Sequence, residues 1–397
     1  MNEVQLLENG KNCVVIALAG RISRDNAADC DLELRKIRTE HPQGGLVMNF
    51  EKLEYISSAG LRMLLKAAKE EKEKIKIYQI SSEIFEILED TGFVKMFEAH
   101  KAMKRYSLEG FELIGQGANG EVFRMDKENI IKVFQKSTPI EEIDRERNLA
   151  QQALLAGIPT AISYTVVIAD EDRYGIVFEL IDADPLSIIL KSQPDTYEKN
   201  TDQYVDLYKK IHNTEGDLSA FGSIKDIYHN NIDACKEYYS DAELQKLHDL
   251  VTSVPDRKTL IHGDYHPNNV MIQNGELILI DMGDMSVGHP IFDFLATAST
   301  QVNLVKLSPE FSEFHTKMPA ELITKTWKKL IARYFAYKSQ AERDRIDEQI
   351  ALFSKLKVAL APVYGRGADP KIIQASIDDA KANFLPRIDE LIGAVDW

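Results

Sequence analysis

The segment Leu260-Ile-His262-Gly263-Asp264-Tyr-His266-Pro267-Asn268-Asn269-Val-Met-Ile272 constrains this chain more than any other. It reads as a polar loop running into a strand. A turn at Asn274-Gly275 follows, then a second apolar run, Leu277 to Ile280, ending on Asp281-Met282-Gly283-Asp284. Asparagine followed by glycine between two apolar runs signals a hairpin, because both residues tolerate the left-handed backbone of a tight turn. The hairpin sets the polar loop beside the strand end. Asp264, Asn269 five residues on and Asp281 seventeen on are thereby gathered into one place. Their chemistry suits phosphoryl transfer: Asp264 can orient an attacking hydroxyl in line with a γ-phosphorus, while Asn269 and Asp281 offer two hard oxygens to Mg2+. His262 and His266 could be read as metal ligands, but no third partner stands at a fitting spacing. The other reading makes them scaffold, His262 supporting the loop and His266 lying near the transferred phosphate.

A second pattern stands upstream at Ile114-Gly115-Gln-Gly117-Ala-Asn-Gly120-Glu-Val122-Phe123. Glycines so spaced serve dinucleotide sites as well, but there they must open a helix. Here the glycines continue into Glu121 to Phe134, which reads as strand, turn at Asp126 to Asn129, and strand. That is a glycine-rich hairpin able to close over nucleotide phosphates. Lys132 sits in its second strand with apolar neighbours on both sides, where an ammonium needs a partner. The helix expected from Pro139 to Ala156 offers Glu146, with Glu142 and Glu141 as alternates. Tyr174 to Ile181 reads as an apolar strand entering an acidic turn.

The first hundred residues alternate strands and helices. Cys13 to Leu18 reads as a strand closed by Gly20, Asp25 to Thr39 as a helix, and Gly45 to Phe50 as a second buried strand. Leu61, Leu64, Leu65 and Ala68 share one helical face. Ile75 to Ile80 is a third strand, and Ser82 to Asp90 a helix stopped at Gly92. Alternation of this kind argues a small α/β layer. Glu98 to Glu109 shows no apolar period and reads as linker. Ser57 and Ser58 fall where a strand turns into a helix. A serine there caps free backbone N–H groups; a phosphate there would meet the positive end of the helix dipole and recharge a docking surface.

The element order and the stretch Leu46-Val-Met-Asn-Phe-Glu-Lys-Leu-Glu-Tyr-Ile-Ser-Ser-Ala-Gly-Leu-Arg-Met-Leu-Leu resemble a STAS domain of the anti-sigma factor antagonist type, over residues 1–100. The resemblance implies a regulatory module that docks a protein partner, such as an anti-sigma factor, and a phosphoacceptor serine at Ser58. The residue before that acceptor is often aspartate in the family. Here it is Ser57, which stays open as the acceptor.

After a linker at 101–109, the remaining motifs resemble the aminoglycoside phosphotransferase and choline kinase superfamily. The resemblance implies a two-lobed α+β protein-kinase-like fold, with an N-lobe over 110–182 and a largely helical C-lobe over 183–397. It also implies ATP and Mg2+ as cofactors and a hydroxyl of a small molecule as acceptor. Asp264 takes the catalytic position, Asn269 and Asp281 the metal positions, and Lys132 and Glu146 the ion pair. Gly115, Gly117, Gly120 and Val122 take the glycine-rich loop, while backbone groups near Glu179 and Ile181 take the hinge that meets adenine. Asp293, after Gly288-His-Pro290, matches a recurring structural aspartate. Asp281 runs into Val287-Gly-His-Pro with no room for a long activation loop, and His266 stands where a Ser/Thr protein kinase keeps a lysine. Both departures favour a small-molecule acceptor such as a sugar, amino sugar or amino alcohol.

Charge narrows the partners. The chain carries 63 acidic and 48 basic side chains, a net charge of -15, and that field repels nucleic acid and anionic membranes. Cys13, Cys30 and Cys235 are odd in number and without metal spacing, which fits free thiols in a reducing cytoplasm. No signal peptide or membrane-length apolar run is visible, so a cytoplasmic location is expected. Asp378, Asp379, Asp389 and Glu390 could suit a cationic substrate, as in antibiotic resistance, or form a solvated acidic face. A different class of function also stands: a signalling switch phosphorylated on Ser58, by its own or another kinase.

Overall fold

A computed structural model describes residues 3–9, 13–117, 120–307, 309–365 and 369–397. The chain divides into two units, Met1–Tyr106 and Ser107–Trp397.

In the first unit, β1 (Val4–Asn9), β2 (Cys13–Ile22), α1 (Ala27–Glu40), β3 (Gly45–Ile56), α2 (Ser58–Glu70), β4 (Lys76–Ile80), α3 (Ser82–Asp90) and β5 (Glu98–Lys101) follow in order. The strands form one sheet in the order β1-β2-β3-β4-β5, with only the β1 pairing antiparallel. Val14, Ile16 and Leu18 on β2 and Leu46, Met48 and Phe50 on β3 are buried, while the residues between them are half-open. A period of two therefore buries one face, against which Leu61, Leu64 and Leu88 pack.

Two expectations are corrected. Gly20 does not close β2; the register with β3 slips at Gly20/Arg21 and the strand runs on to Ile22. Glu98–Lys101 is not linker but the edge strand β5, too short to show a period. Its main chain is fixed by Glu98 N–H donating to Ile75 O at 3.0 Å, and Tyr78 stacks on His100. Where α2 leaves β3, Gly60 is squeezed. A Cβ there would lie 2.7 Å from Ile56 Cγ1 and 2.9 Å from Ile22 Cγ2.

The second unit opens with β6 (Glu112–Gly117), β7 (Gly120–Arg124), β8 (Asn129–Phe134), α4 (Ile140–Leu155), β9 (Ser163–Ile168) and β10 (Tyr174–Glu179). These strands form an antiparallel sheet in the order β6-β7-β8-β10-β9. The β7–β8 turn is closed by Asp126, whose carboxylate accepts from Glu128 N at 2.7 Å and Asn129 N at 2.8 Å. The tip of the glycine-rich hairpin, Ala118 and Asn119, lies outside the described residues.

A helical part follows: α5 (Leu186–Ser192), α6 (Tyr197–His212), α7 (Ile224–Ala234) and α8 (Asp241–Ser253). Two short hairpin-like pairs interrupt it, β11 (Thr259–Ile261) with β14 (Ser286–Gly288) and, inside them, β12 (Val270–Gln273) with β13 (Glu276–Leu279). The chain ends in α9 (Ile291–Ala298), α10 (Leu304–Leu307), α11 (Pro309–Thr316), α12 (Ala320–Tyr334), α13 (Gln340–Phe353), α14 (Lys355–Ala359), α15 (Ala361–Tyr364) and α16 (Pro370–Asp379). Among the described residues no helix is long and apolar enough to cross a membrane.

The Gly60 crowding gives a stability test. Gly60→Val should lower the stability of the first unit by about 2 kcal/mol, since two buried isoleucines must shift. Urea unfolding read by amide signals of β2 and β3 checks it; an unchanged midpoint would refute the close packing.

Candidate functional site

Strand alternation explains how Lys132 sits among apolar neighbours. Ile131 and Val133 are fully buried on one face of β8, and Lys132 projects from the other. There its Nζ meets Glu146 Oε1 at 2.7 Å and Asp281 Oδ1 at 3.0 Å. Desolvation opposes the ammonium's charge, but the Asp281 and Glu146 carboxylates outweigh it and push the Lys132 pKa up. Glu146 is buried on α4 beside Ile143 and Leu149, while Glu141 and Glu142 are exposed on the first turn. Of the three acids considered, Glu146 alone pairs with Lys132.

The hairpin that covers this lysine pairs Gly115 with Val122 and Gly117 with Gly120. At the end of β10, Glu179 N–H donates to Ile162 O at 2.9 Å, and its carboxylate accepts from Ile162 N at 3.3 Å. Leu180 N–H reaches Glu128 O at 2.7 Å, and the buried Ile181 carbonyl accepts from Ala183 N at 2.9 Å. The crossing between sheet and helices is thus anchored on both sides.

Beyond β11 the loop is held from below by Asp293. This fully buried carboxylate on α9 accepts from His262 N at 2.9 Å and from Gly263 N at 2.6 Å. Gly263 has φ of +84°, and a Cβ there would lie 2.7 Å from Asp284 Cβ, so only glycine fits without strain. Tyr265 is sandwiched between Tyr204 and Tyr208, with centroids 4.6 and 4.4 Å away. Its carbonyl accepts from Thr297 Oγ1 at 3.0 Å. Asn268 takes a hydrogen bond from the buried Ser187 hydroxyl.

The loop's upper side carries the polar cluster. Asn269 Nδ2 donates to Asp264 O at 3.0 Å and to Asp264 Oδ2 at 3.3 Å, and Asn269 O accepts from Ile280 N at 3.0 Å. That last bond is the link the hairpin was expected to make between loop and strand end. His266 Nε2 lies 3.4 Å from Asp264 Oδ2. Desolvation pushes the Asp264 carboxyl up, but the His266 charge and hydrogen bond outweigh it and hold it below the usual carboxylate range. The same pairing raises the His266 pKa against its own desolvation. Asp281, with φ of +63°, faces Lys132. His262 is buried, its Nδ1 accepting from Asp264 N at 3.3 Å. Among the described residues no three His, Cys, Asp or Glu side chains converge as a metal cage.

Sequence reading missed His212. Its Nε2 lies 3.0 Å from Asp293 Oδ2 and its Nδ1 2.9 Å from the Tyr334 hydroxyl. With Tyr334 donating to Nδ1, Nε2 carries the proton and donates to Asp293. In sequence His212 is only the polar end of an amphipathic helix, 81 positions from its partner. Three of the four acids near the C-terminus have local partners: Asp378 accepts from Gln374, Asp379 meets Lys355 and Asn383, and Glu390 meets Arg387. In the first unit Ser57 caps α2, accepting from Gly60 N at 3.3 Å, and leaves Ser58 exposed at the first helical position.

The profile of the Phosphotransferase enzyme family matches residues 110–312. The chain belongs to that family. It is a phosphotransferase, and a STAS domain profile matches residues 5–106 ahead of the enzyme. No curated protein sequence matches the chain. Among solved structures, the streptomycin–ATP ternary complex of APH(2'')-IIa is 17% identical with a TM-score of 0.47, covering 70% of this chain and 92% of its own. The gentamicin complex of the same protein gives 17% and 0.48, covering 78% and 98%. ADP-bound aminoglycoside phosphotransferase APH(2'')-Ib gives 17% and 0.47, covering 71% and 94%.

His212→Leu should lower the unfolding free energy of the second unit by about 2 kcal/mol, because Asp293 loses a charge-assisted hydrogen bond in the core. Tyr334→Phe should cost about 1 kcal/mol. Urea titration of both variants checks the order; a larger loss in Tyr334→Phe would refute the direction of the relay.

Proposed function

We propose that residues 107–397 transfer the γ-phosphate of ATP to a hydroxyl of a small molecule, a sugar, amino sugar or amino alcohol, using Mg2+. The observation that carries this reading is Lys132 held at once by Glu146 and Asp281, with Asp264 and Asn269 bonded to one another beside it. In this reading Lys132 binds the α- and β-phosphates, Gly115, Gly117, Gly120 and Val122 cover them, and main-chain groups near Glu179 and Ile181 meet adenine.

The donor set fits a hard cation. Asn269 spends its amide N–H on Asp264, which leaves its amide oxygen as the free end, and Asp281 adds a carboxylate. Bound there, Mg2+ neutralises charge on the phosphates. Asp264 accepts the hydrogen bond of the acceptor hydroxyl and aims its oxygen at the γ-phosphorus. A bond forms between that oxygen and phosphorus as the bond to the β–γ bridging oxygen breaks. ADP leaves with the electron pair, and the hydroxyl proton passes to Asp264 and on to water. His266 keeps Asp264 ionised for this, and His262 and Asp293 fix the main chain that carries it.

Ser58 favours a regulatory role for the first unit. With Ser57 engaged as the cap, the exposed Ser58 hydroxyl is the one open to a phosphoryl group, and a phosphate there would change a surface that docks a protein partner.

Asp264→Asn should reduce phosphoryl transfer from γ-labelled ATP by at least about 100-fold while ATP affinity stays within a few-fold. Lys132→Ala should instead weaken ATP binding. Peptide mass spectrometry of the labelled products reads both halves of the proposal. Full activity in Asp264→Asn would sink the loop assignment, and label on Ser58 that is lost in Asp264→Asn would make the chain a self-modifying switch.

A further inference from the structure

Away from the motifs, α7 and α8 are joined through two histidines. Lys225 Nζ donates to Thr252 O at 3.4 Å, and one turn further along α7, His229 Nδ1 lies 2.7 Å from His248 Nδ1. The helices therefore run antiparallel. Both rings are half-buried and stacked, with centroids 5.0 Å apart and planes 25° from parallel. His248 Nε2 lies 3.0 Å from Asp233 Oδ1, another turn along α7. The His248 ring thus bridges two side chains of the facing helix.

These contacts fix where the protons sit. A carboxylate accepts, so His248 Nε2 carries a proton and, in the neutral ring, its Nδ1 is bare. The 2.7 Å contact then places a proton on His229 Nδ1 and leaves His229 Nε2 bare. One added proton keeps the contact, because with either ring charged a single hydrogen still lies between the two Nδ1 atoms. A second added proton puts a hydrogen on both. Two N–H groups of two cations then face each other, and the contact cannot hold.

The surroundings support this count. Burial and the His248 charge hold the His229 pKa below its ordinary value; Asp226 and Asp233 oppose them, and Lys225 adds to them. Lys225 is itself paired with Asp256, just past α8. Lys246 and Asp249 lie beside His248 in sequence, Asp249 accepting from Gln245. β14, which also packs on α7, has no titratable side chain. The turn Leu385–Glu390, packed on α8, carries Arg387, Asp389 and Glu390, with Arg387 bonded to Glu390. What α7 supports makes the joint matter. Tyr228, next to His229, has its ring centre 5.2 Å from that of Phe292, the residue before Asp293, and Asn231 Nδ2 donates to the Tyr364 hydroxyl at 3.0 Å.

We propose that His229 and His248 form a proton-operated latch, which holds α7 on α8 through one added proton and releases it on the second. The folded protein resists that proton and the unfolded chain does not. The stability contributed by the latch is therefore complete above about pH 6.5 and is lost as the pH falls through the lowered His229 pKa.

Hydrogen exchange of the full-length protein, read by mass spectrometry on α7 peptides and corrected for intrinsic exchange, tests this between about pH 7.5 and pH 5. Protection of α7 should fall at least about tenfold across that range, the equivalent of one lost hydrogen bond. In His229→Gln it should fall less than about threefold, because the amide still donates to His248 Nδ1, accepts from it once that ring is charged, and takes no proton itself. Equal pH courses in the two proteins would overturn the latch, as would wild-type protection that does not change with pH. A variant already unprotected at pH 7.5 would overturn the donor role of His229. Ring 15N spectra at pH 7.5 should show His248 protonated at Nε2; a proton on Nδ1 with Nε2 bare would overturn the proton placement.

Discussion

A single buried carboxylate organises the catalytic half of this protein. Asp293 has no solvent exposure, and taking an ion out of water is costly unless hydrogen bonds replace its hydration. Two backbone amides, those of His262 and Gly263, and the His212 imidazole supply that replacement. The requirement runs both ways. Because Asp293 must be satisfied, the loop leaving β11 can take only the path that presents successive N–H groups downward, and that path turns Asp264 upward into the cleft. The positive φ of Gly263 and the close approach of Asp284 follow from the same sharp turn. Tyr265, pinned between two tyrosines, fixes the next residue in line.

The second constraint is electrostatic and ties sheet to helices. Lys132 reaches Glu146 from α4 and Asp281 from the end of the inner hairpin, so one ammonium gathers groups from three elements. Neither carboxylate could be left there alone, since a half-buried site between two acids repels both. The lysine is thus a structural need before any nucleotide arrives, and in the proposed reading the same charge then serves the phosphates. Asp264 and His266 repeat the device on the other side: the imidazole offsets the desolvation that would otherwise protonate the carboxylate.

Much of this was legible in the sequence, and the reason is that short-range chemistry encodes it. The Asn274-Gly275 turn predicts the inner hairpin, and the hairpin predicts that Asn269 and Asp281 share a neighbourhood. The apolar flanks of Lys132 predict a partnered ammonium, although which of Glu141, Glu142 and Glu146 answers it depends on the rotation of α4, settled only by which face is buried. What escaped has no local signature. Gly20 looks like a strand end because glycine usually is one, whereas here the neighbouring strand absorbs the slip. Glu98–Lys101 becomes a strand only because β4 offers an unpaired edge. His212 finds Asp293 across 81 residues, through helices whose packing angles no periodicity reveals.

Charge gives these pieces a common logic. With a net charge of -15 the chain as a whole discourages anions, so any cation left without a carboxylate inside the cleft runs against the general trend. Several lysines and arginines of the helical part are paired on the surface: Lys329 with Glu198 and Asp202, Arg333 with Asp206, Lys225 with Asp256. Lys132 is paired twice. Inside the site carboxylates reverse that trend: Glu146 and Asp281 keep the Lys132 ammonium charged and Asp264 favours the charged His266 imidazole, each against the desolvation that would otherwise remove the charge, so positive charge is held there by the packing of α4, the inner hairpin and the loop after β11.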